Sequence, residues 1–321
     1  MSPTSEVIGR PSISKDTDIE PETVRLTPHS CRIQSARATR HRKGAVMNGE
    51  QLKKKLESGG IVYGTMLSAA RNPRWTQTIA GFGLDYIIID TEHSPRGRDE
   101  VADFLAAFVY SGVVPIVRVP IPDAHYVTMA MDAGAQGVLA PYCETVEEVK
   151  EVVGAAKWRP LKGALLVKAV ESGEFPSQAT KDYLLEKGRN SMCIIGIESV
   201  PAIENLEEIL KVDGIDGIFV GPNDLSITLG VPDQYDHPEY EAALRRIIAT
   251  CQAADTPVMI HHQSVTMTQK WMEEGARFVL YSNDARTMHN GFTAEFGALK
   301  VKGTELGGDV GDGAGEYDEV V

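Results

Sequence analysis

Residues 217–226 read GIFVGPNDLS, and this stretch contains the unit whose repetition decides the fold. Its first four residues form a short apolar run, and Asp224 follows among polar residues of the kind favoured in the first turn of a helix. Similar runs recur along the chain, and an amphipathic segment follows each one. Because the runs are apolar without alternation, they predict parallel strands covered on both faces. The eight predicted strands are residues 61–66, 86–90, 113–119, 137–140, 192–198, 217–220, 257–261 and 277–281.

Helical segments are predicted between these strands, among them residues 99–110, 145–158, 202–210 and 238–254. Strands that alternate with helices indicate an α/β protein with a parallel sheet. The part of the chain that contains them is about 250 residues long, the typical size of one (β/α)8 barrel. We therefore predict a single (β/α)8 TIM barrel at residues 51–300 and favour it over an open, doubly wound sheet.

The two ends of the chain differ from this central part in composition. Residues 1–50 contain eight Lys and Arg against six Asp and Glu, whereas residues 303–321 contain six acids, six glycines and no basic residue. Neither end has hydrophobic periodicity. We expect residues 1–50 to be a flexible, disordered N-terminal extension and residues 301–321 to be an acidic, glycine-rich disordered tail. The basic cluster at residues 37–43 is interpreted as a solvated stretch, with a targeting or nucleic-acid segment as the alternative.

Composition argues against several classes of protein. The chain has 321 residues, of which 42% are hydrophobic and 24% charged, as in an ordinary globular protein. Its net charge of −13 argues against nucleic-acid binding. No apolar run of membrane-spanning length and no apolar signal region occur. The four cysteines, Cys31, Cys143, Cys193 and Cys251, are scattered rather than paired. We expect a cytoplasmic protein that binds neither nucleic acid nor membranes.

The chemistry of a TIM barrel lies at the carboxyl ends of its strands. Four predicted strands deliver polar or charged residues there: His93 follows the second, Arg118 lies in the third, Glu198 ends the fifth and Asp224 follows the sixth. Each of these residues alone has a structural explanation as a cap, a packing residue or a surface charge. Their position on one rim of the same barrel favours a shared active site.

Two carboxylates in one concave site repel each other unless a cation neutralises them. We therefore expect Glu198 and Asp224 to hold a hard divalent cation, Mg²⁺ or Mn²⁺, with Co²⁺ or another first-row ion as a substitute. Arg118 beside such an ion suits a small 2-oxo acid, because the guanidinium binds oxygen in a fixed geometry. His93 would transfer the proton. The predicted strands contain no lysine for a Schiff base, which favours metal-dependent over imine chemistry.

Five motifs in order along the chain resemble the HpcH/HpaI aldolase/citrate lyase family. They are DTEH at residues 90–93, VRVP at 117–120, MDAGA at 131–135, IE at 197–198 and GPNDLS at 221–226. The resemblance covers about residues 59–292. It implies a class II, metal-dependent pyruvate aldolase, a carbon–carbon lyase that cleaves or forms 4-hydroxy-2-oxo acids from pyruvate and an aldehyde.

The resemblance also implies a role for individual residues. Glu198 and Asp224 would be the metal ligands, His93 the acid–base residue, and Arg118 the group that holds the pyruvyl oxygens. Backbone N–H groups of Asn223 and Asp224 would receive the carboxylate of pyruvate.

Two further aspartates are implied as positioning groups. Asp90 and Asp132 would orient His93 or its water, and Asp132 is expected either from the same chain or from a neighbouring subunit. The resemblance further implies a homo-oligomer, commonly a hexamer built from dimers that exchange their last helix.

Three features depart from the family pattern. Gly196 stands where many members carry a glutamine, residues 159–166 lack the usual Gly-x-Arg-Gly element, and residues 261–263 read HHQ, more polar than expected. The HHQ stretch is interpreted as a pocket or packing element, with a second metal site as the alternative. Because these differences lie on the rim that would hold the aldehyde, they concern substrate choice.

Two other functions remain open from the residues. The same metal and enolate chemistry would serve a lyase or decarboxylase acting on oxaloacetate, a citrate-like compound or an acyl-CoA. A barrel that has lost catalysis and serves as a scaffold is the third hypothesis, against which the presence of all four strand-end groups argues.

Overall fold

The computed structural model describes residues 47–308 and confirms the predicted (β/α)8 barrel. Eight parallel strands pair in chain order, and β8 pairs with β1 to close the barrel. Every predicted strand overlaps an observed one, and the bounds differ by only one or two residues. The strands are β1 (Val62–Leu67), β2 (Tyr86–Asp90), β3 (Val114–Arg118), β4 (Gly137–Ala140), β5 (Met192–Gly196), β6 (Gly217–Val220), β7 (Val258–His262) and β8 (Phe278–Asn283).

Twelve helices lie within the described residues. Local sequence explains where several begin; α5, for example, starts with a capping box in which Thr145 and Glu148 bond each other's backbone N–H groups. The helices are α1 (Gly49–Glu57), α2 (Trp75–Ala80), α3 (Arg98–Phe108), α4 (Ala124–Asp132), α5 (Val146–Lys157), α6 (Gly163–Ser172), α7 (Gln178–Gly188), α8 (Val200–Ile209), α9 (Pro222–Thr228), α10 (Pro238–Ala253), α11 (Val265–Glu273) and α12 (Asp284–Glu305).

Strand residues divide between two hydrophobic clusters, one inside the barrel and one between the barrel and its helices. In β2, Tyr86 and Ile88 belong to the inner cluster, whereas Ile87 and Ile89 belong to the outer one. This alternation explains why the strand is apolar at every position up to Asp90, since both faces are buried. It also places Asp90, two residues beyond Ile88, on the inner side at the carboxyl end.

The ordered domain extends beyond the predicted limits of residues 51 and 300. Helix α1 begins at Gly49 because Asn48 caps it, and α12 continues to Glu305, where Lys302 bonds that carboxylate at 2.5 Å. The predicted C-terminal tail is therefore corrected at its first five residues. Residues 1–46 and 309–321 of the predicted tails, with Cys31 and the basic cluster, lie outside the described residues. Between residues 47 and 308, no helix combines the length and apolar character needed to cross a bilayer.

Candidate active site

A buried arginine lies at the centre of the carboxyl-terminal end of the barrel. Arg118 is the last residue of β3, and its Nε atom donates to Oδ1 of Asp90 at 2.7 Å. Its Nη1 atom lies 2.9 Å from Oε2 of Glu92, and its Nη2 atom contacts the weakly accepting sulfur of Met66 at 3.5 Å. Burial opposes the charge of Arg118, but the facing carboxylates outweigh it and raise its pKa. The guanidinium is thus fixed in orientation while retaining a donor that a ligand oxygen would use.

Glu198 is buried, with 2% of its surface exposed. The backbone N–H of Tyr142 donates to its Oε2 atom at 2.5 Å, and its carboxyl group lies against Gly221. Burial, together with the nearby Glu92 and Asp224, raises the pKa of Glu198 to about 8, despite the opposing effect of Arg118.

Glu92 is absent from the predicted site residues, although it lies inside the DTEH motif. Burial, reinforced by Asp90 and Asp224 and opposed by Arg118, raises its pKa to about 7. Its Oε2 atom lies 3.8 Å from Nε2 of His93, whose side chain is 41% exposed. The sequence did contain a signal that Glu92 belongs to the site. Glu92 lies between Asp90 and His93 in the chain, and an acid in this loop lies at the same rim of the barrel as those two residues.

Asp224 and Asn223 lie in the first turn of α9, directly after β6. Asp224 contributes to the raised pKa of both Glu92 and Glu198, so the three carboxyl groups share one site. The first N–H groups of a helix have no intrahelical acceptor, which leaves those of this turn to bind an anion. The structure thus brings together Glu198, Asp224, Arg118 and Asp90, with His93 at the edge of the site.

A family profile, related sequences and a solved structure agree on the family to which this chain belongs. Residues 65–290 match the sequence profile of the HpcH/HpaI aldolase/citrate lyase family, which covers more than half of the chain. The chain belongs to this family. A 4-hydroxy-2-oxo-heptane-1,7-dioate aldolase of Salmonella dublin is 32% identical over 253 residues, which cover 76% of this chain and 94% of the relative. A hydroxypyruvate/pyruvate aldolase of Roseobacter denitrificans is 32% identical over 239 residues, covering 74% and 92% respectively.

A solved structure of an HpcH/HpaI aldolase from Desulfitobacterium hafniense superposes with a TM-score of 0.68 at 29% identity. It covers 78% of this chain and 96% of that chain. Membership of the HpcH/HpaI family makes the protein an enzyme of the aldolase or lyase type.

Within this HpcH/HpaI protein, the two predicted positioning aspartates do not contact His93. Asp90 accepts hydrogen bonds from Arg118 and, at 3.1 Å, from the hydroxyl of Ser94. Asp132 ends α4, so it lies at the opposite end of the barrel, where it pairs with Arg159 at 3.3 Å. In a single chain Asp132 is therefore separated from the site that contains His93.

Gly196 departs from the family pattern for a visible reason. A Cβ atom at this position would lie 2.9 Å from the Cα of Pro141 and from the backbone nitrogen of Tyr142. The segment that follows β4 passes directly beside Gly196, and Tyr142 in this segment has a φ of 51°. The backbone N–H of Tyr142 donates the hydrogen bond that holds Glu198. The missing side chain makes room for a main-chain donor.

The two histidines of the HHQ stretch point to opposite faces of β7. Successive residues of a strand point to opposite faces, so His261 and His262 do not converge on one ion. His262 is buried on the outer side among Tyr235 and Tyr240, and burial lowers its pKa to about 3. A packing role for His262 replaces the alternative of a second metal site.

The donor set at the rim suits a cation held by few protein ligands. Among residues 47–308, no three His, Cys, Asp or Glu side chains are grouped as a closed metal site. Glu198 and Asp224 offer two carboxylates, and their mutual repulsion is of the kind that a divalent cation relieves. Hard ions such as Mg²⁺ bind through one or two carboxylates and retain water or substrate oxygens in their other positions.

Gly221 supplies a steric test of this arrangement. A Cβ atom added there would overlap Oε1 of Glu198 and approach its Cδ atom to 2.9 Å. We expect Gly221→Ala to weaken the binding of Mn²⁺ about a hundredfold, measured by titration calorimetry. Gly97→Ala is the matched control, because Gly97 is also an N-cap residue with an extended backbone and a Cβ atom there meets nothing within 4 Å. Equal affinity in the two variants would contradict a binding role for Glu198.

Proposed function

We propose that this protein is a divalent-metal-dependent aldolase that cleaves 4-hydroxy-2-oxo acids to pyruvate and an aldehyde, and forms them in the reverse direction. The observation that carries the proposal is the set of acids gathered around one buried arginine. Glu92 and Glu198 lie close enough to each other and to Asp224 for the pKa of both glutamates to be raised, next to the fixed guanidinium of Arg118. A site of this charge and donor composition suits a metal ion and a 2-oxo acid.

Glu198 and Asp224 would hold the cation, which is expected to be Mg²⁺ or Mn²⁺, with Co²⁺ or another first-row ion as a substitute. When bound, the ion would polarise the keto oxygen of the substrate and so acidify the neighbouring carbon. None of the eight described strands contains a lysine, which is in keeping with metal rather than imine chemistry.

The chain's own residues would hold the pyruvyl unit at both ends. The backbone N–H groups of Asn223 and Asp224 in the first turn of α9 would receive the carboxylate. Nη2 of Arg118, whose contact is the weak acceptor of Met66, would donate to the keto oxygen. Because Asp90 and Glu92 orient the guanidinium beforehand, little side-chain freedom is lost when the substrate binds.

His93 would move the proton. In the cleavage direction it removes the proton from the C4 hydroxyl, the C3–C4 bond breaks, and the aldehyde carbonyl forms. The electron pair of the broken bond stays with the three-carbon unit as an enolate whose oxygen faces Arg118, and a proton delivered to C3 completes pyruvate. Glu92, 3.8 Å from the His93 ring, would stabilise its protonated form.

We also propose a homo-oligomer, and take the hexamer as the working assembly. Helix α12 spans 22 residues, none of which is buried, and it exposes Phe292, Phe296 and Leu299 at helical spacing. A long helix with an uncovered apolar stripe suits a subunit interface. In an oligomer, Asp132, which is remote from the site of its own chain, would come from a neighbouring subunit.

Cytoplasmic residence is part of the proposal. Cys143, Cys193 and Cys251 are free and buried, and burial raises the pKa of each thiol. Unpaired, unreactive thiols are in keeping with a reducing compartment.

The test is a pyruvate-release assay across 4-hydroxy-2-oxo acids that differ in their distal half, with oxaloacetate as a parallel substrate. We expect cleavage with Mn²⁺ or Mg²⁺, a loss of at least about a hundredfold after treatment with a chelator, and recovery when the ion is returned. Full activity in the chelated protein would refute metal dependence. Turnover of oxaloacetate alone would favour a decarboxylase instead.

A further inference from the structure

His261 lies on β7, which only β6 separates from β5, the strand that Glu198 follows. Continuing the observed register of β5, β6 and β7 by one or two residues places Glu198, Gly221 and His261 on one level of the barrel. Adjacent strands are separated by about 4.8 Å, so the backbones of Glu198 and His261 are about 10 Å apart across the intervening strand. Gly221 adds no side chain between them.

The His261 side chain points into the barrel. Met259, two residues earlier on β7, belongs to the inner hydrophobic cluster, and residues two apart on a strand share a face. The imidazole ring lies 6.4 Å from the ring of Phe219, another inner residue, measured between centroids. His261 is half-buried at the end of its strand, whereas the interior residues beneath it are fully covered. It therefore lines the mouth of the barrel.

A hydrogen bond fixes the orientation of this ring. The Nε2 atom of His261 lies 3.3 Å from the carbonyl oxygen of Ser282 on β8. A carbonyl oxygen only accepts, so Nε2 carries the hydrogen in this contact. The imidazole is thus held in place before a ligand binds, as a group that contributes to specificity has to be.

We propose that His261 binds a hydroxyl group next to the carbonyl of the second substrate, so that the preferred partner of pyruvate is a short hydroxyaldehyde. The inference rests on the proposed aldolase function. Arg118 and Glu198 define the place of the three-carbon unit, and the aldehyde would then lie toward β7, the wall that His261 lines.

Charge favours a hydroxyl over a carboxylate on this second substrate. Four acids, Asp90, Glu92, Glu198 and Asp224, surround one arginine, Arg118. A divalent ion reduces this formal negative charge without reversing it. A further carboxylate would therefore be repelled, whereas an uncharged hydroxyl group would exchange a hydrogen bond to water for one to the imidazole.

Glycolaldehyde and acetaldehyde test the proposal, because these two-carbon aldehydes differ only by the hydroxyl group. With pyruvate and Mn²⁺, we expect the wild type to have a higher kcat/KM for glycolaldehyde. In His261→Leu the glycolaldehyde-to-acetaldehyde ratio should fall about tenfold, the size expected for a lost hydrogen bond. His261→Gln, which keeps a polar group of similar length, should retain more of the preference. His125→Leu, on the exposed surface of α4, is the control and should leave the ratio unchanged.

The ratio compares two substrates on the same preparation, so partial unfolding of a variant does not affect it. Exchange of the pyruvate methyl hydrogens for deuterium, followed by NMR in the wild type without an aldehyde, tests the proposed function separately. Absence of both exchange and aldol cleavage would refute that function. If deuterium exchange occurs but the glycolaldehyde-to-acetaldehyde ratio is identical in the wild type and His261→Leu, only the role of His261 is overturned.

Discussion

Glu198→Gln is expected to reduce aldol cleavage by about a thousandfold or more, while raising the thermal stability of the metal-free protein. The first effect follows from the loss of a proposed ligand charge. The second follows because Glu198 is buried beside Glu92 and Asp224, where a charge is unfavourable. Glutamine keeps the shape of the side chain without the charge. Activity is measured as pyruvate release, and stability as the melting temperature in the presence of a chelator.

The pH dependence of the melting temperature makes this prediction sharper. The pKa of Glu198 is raised from 4.5 to about 8 on folding, so between these values the folded protein binds more protons than the unfolded chain. The contribution of this group to stability therefore falls as the pH rises through that window. The decline from pH 5 to pH 8 should be smaller in Glu198→Gln, and saturating Mn²⁺ should offset it in the wild type.

Glu204→Gln is the matched control, because Glu204 is exposed on α8. It should change neither the activity nor the pH dependence of melting. A metal-free Glu198→Gln protein that melts well below the wild type at pH 8 would contradict the electrostatic account of the site.

Arg118→Met is expected to lower both stability and activity severely. It would leave Asp90 and Glu92 buried without their shared cation, a change that costs about 3–5 kcal/mol of unfolding free energy. The loss of the group proposed to hold the keto oxygen should lower kcat/KM about a thousandfold. Urea unfolding and steady-state kinetics measure the two effects.

Arg118→Lys tests the planar geometry of the guanidinium group separately from its positive charge. Lysine keeps the positive charge, so much of the stability should remain, but an ammonium group does not reproduce the planar arrangement that contacts Asp90 and Glu92 together. Activity should still fall about a hundredfold. Arg245→Lys is the control, because Arg245 also pairs with two carboxylates, those of Glu241 and Glu274, on the surface. Equal losses in Arg118→Lys and Arg245→Lys would argue against the central role of Arg118.

The barrel could be predicted from sequence because its strands are short, apolar throughout and regularly separated by helical segments. Burial on both faces imposes that pattern on each strand independently of its neighbours. The last turn of α12 could not be predicted, because Gly303 and the following acids have a composition typical of a tail.

The candidate site was predictable where a residue's position on a strand decides where it lies. Asp90, Arg118 and Glu198 come at or just after strand ends, and the structure groups them as this rule requires. The support of Glu198 by the N–H of Tyr142 was not predictable, because it joins residues 56 positions apart through the main chain. The contact of Asp90 with Arg118 rather than His93 depends likewise on the register of two neighbouring strands.

The amide that holds Glu198 has an evolutionary consequence. It belongs to the main chain, so its identity does not change when the side chain at position 142 is replaced. Residues that tolerate a positive φ, such as asparagine or glycine, would preserve the contact while altering the surface beside the mouth. Selectivity for the incoming electrophile can therefore diverge among descendants of this sequence while the acid that anchors the chemistry stays in place.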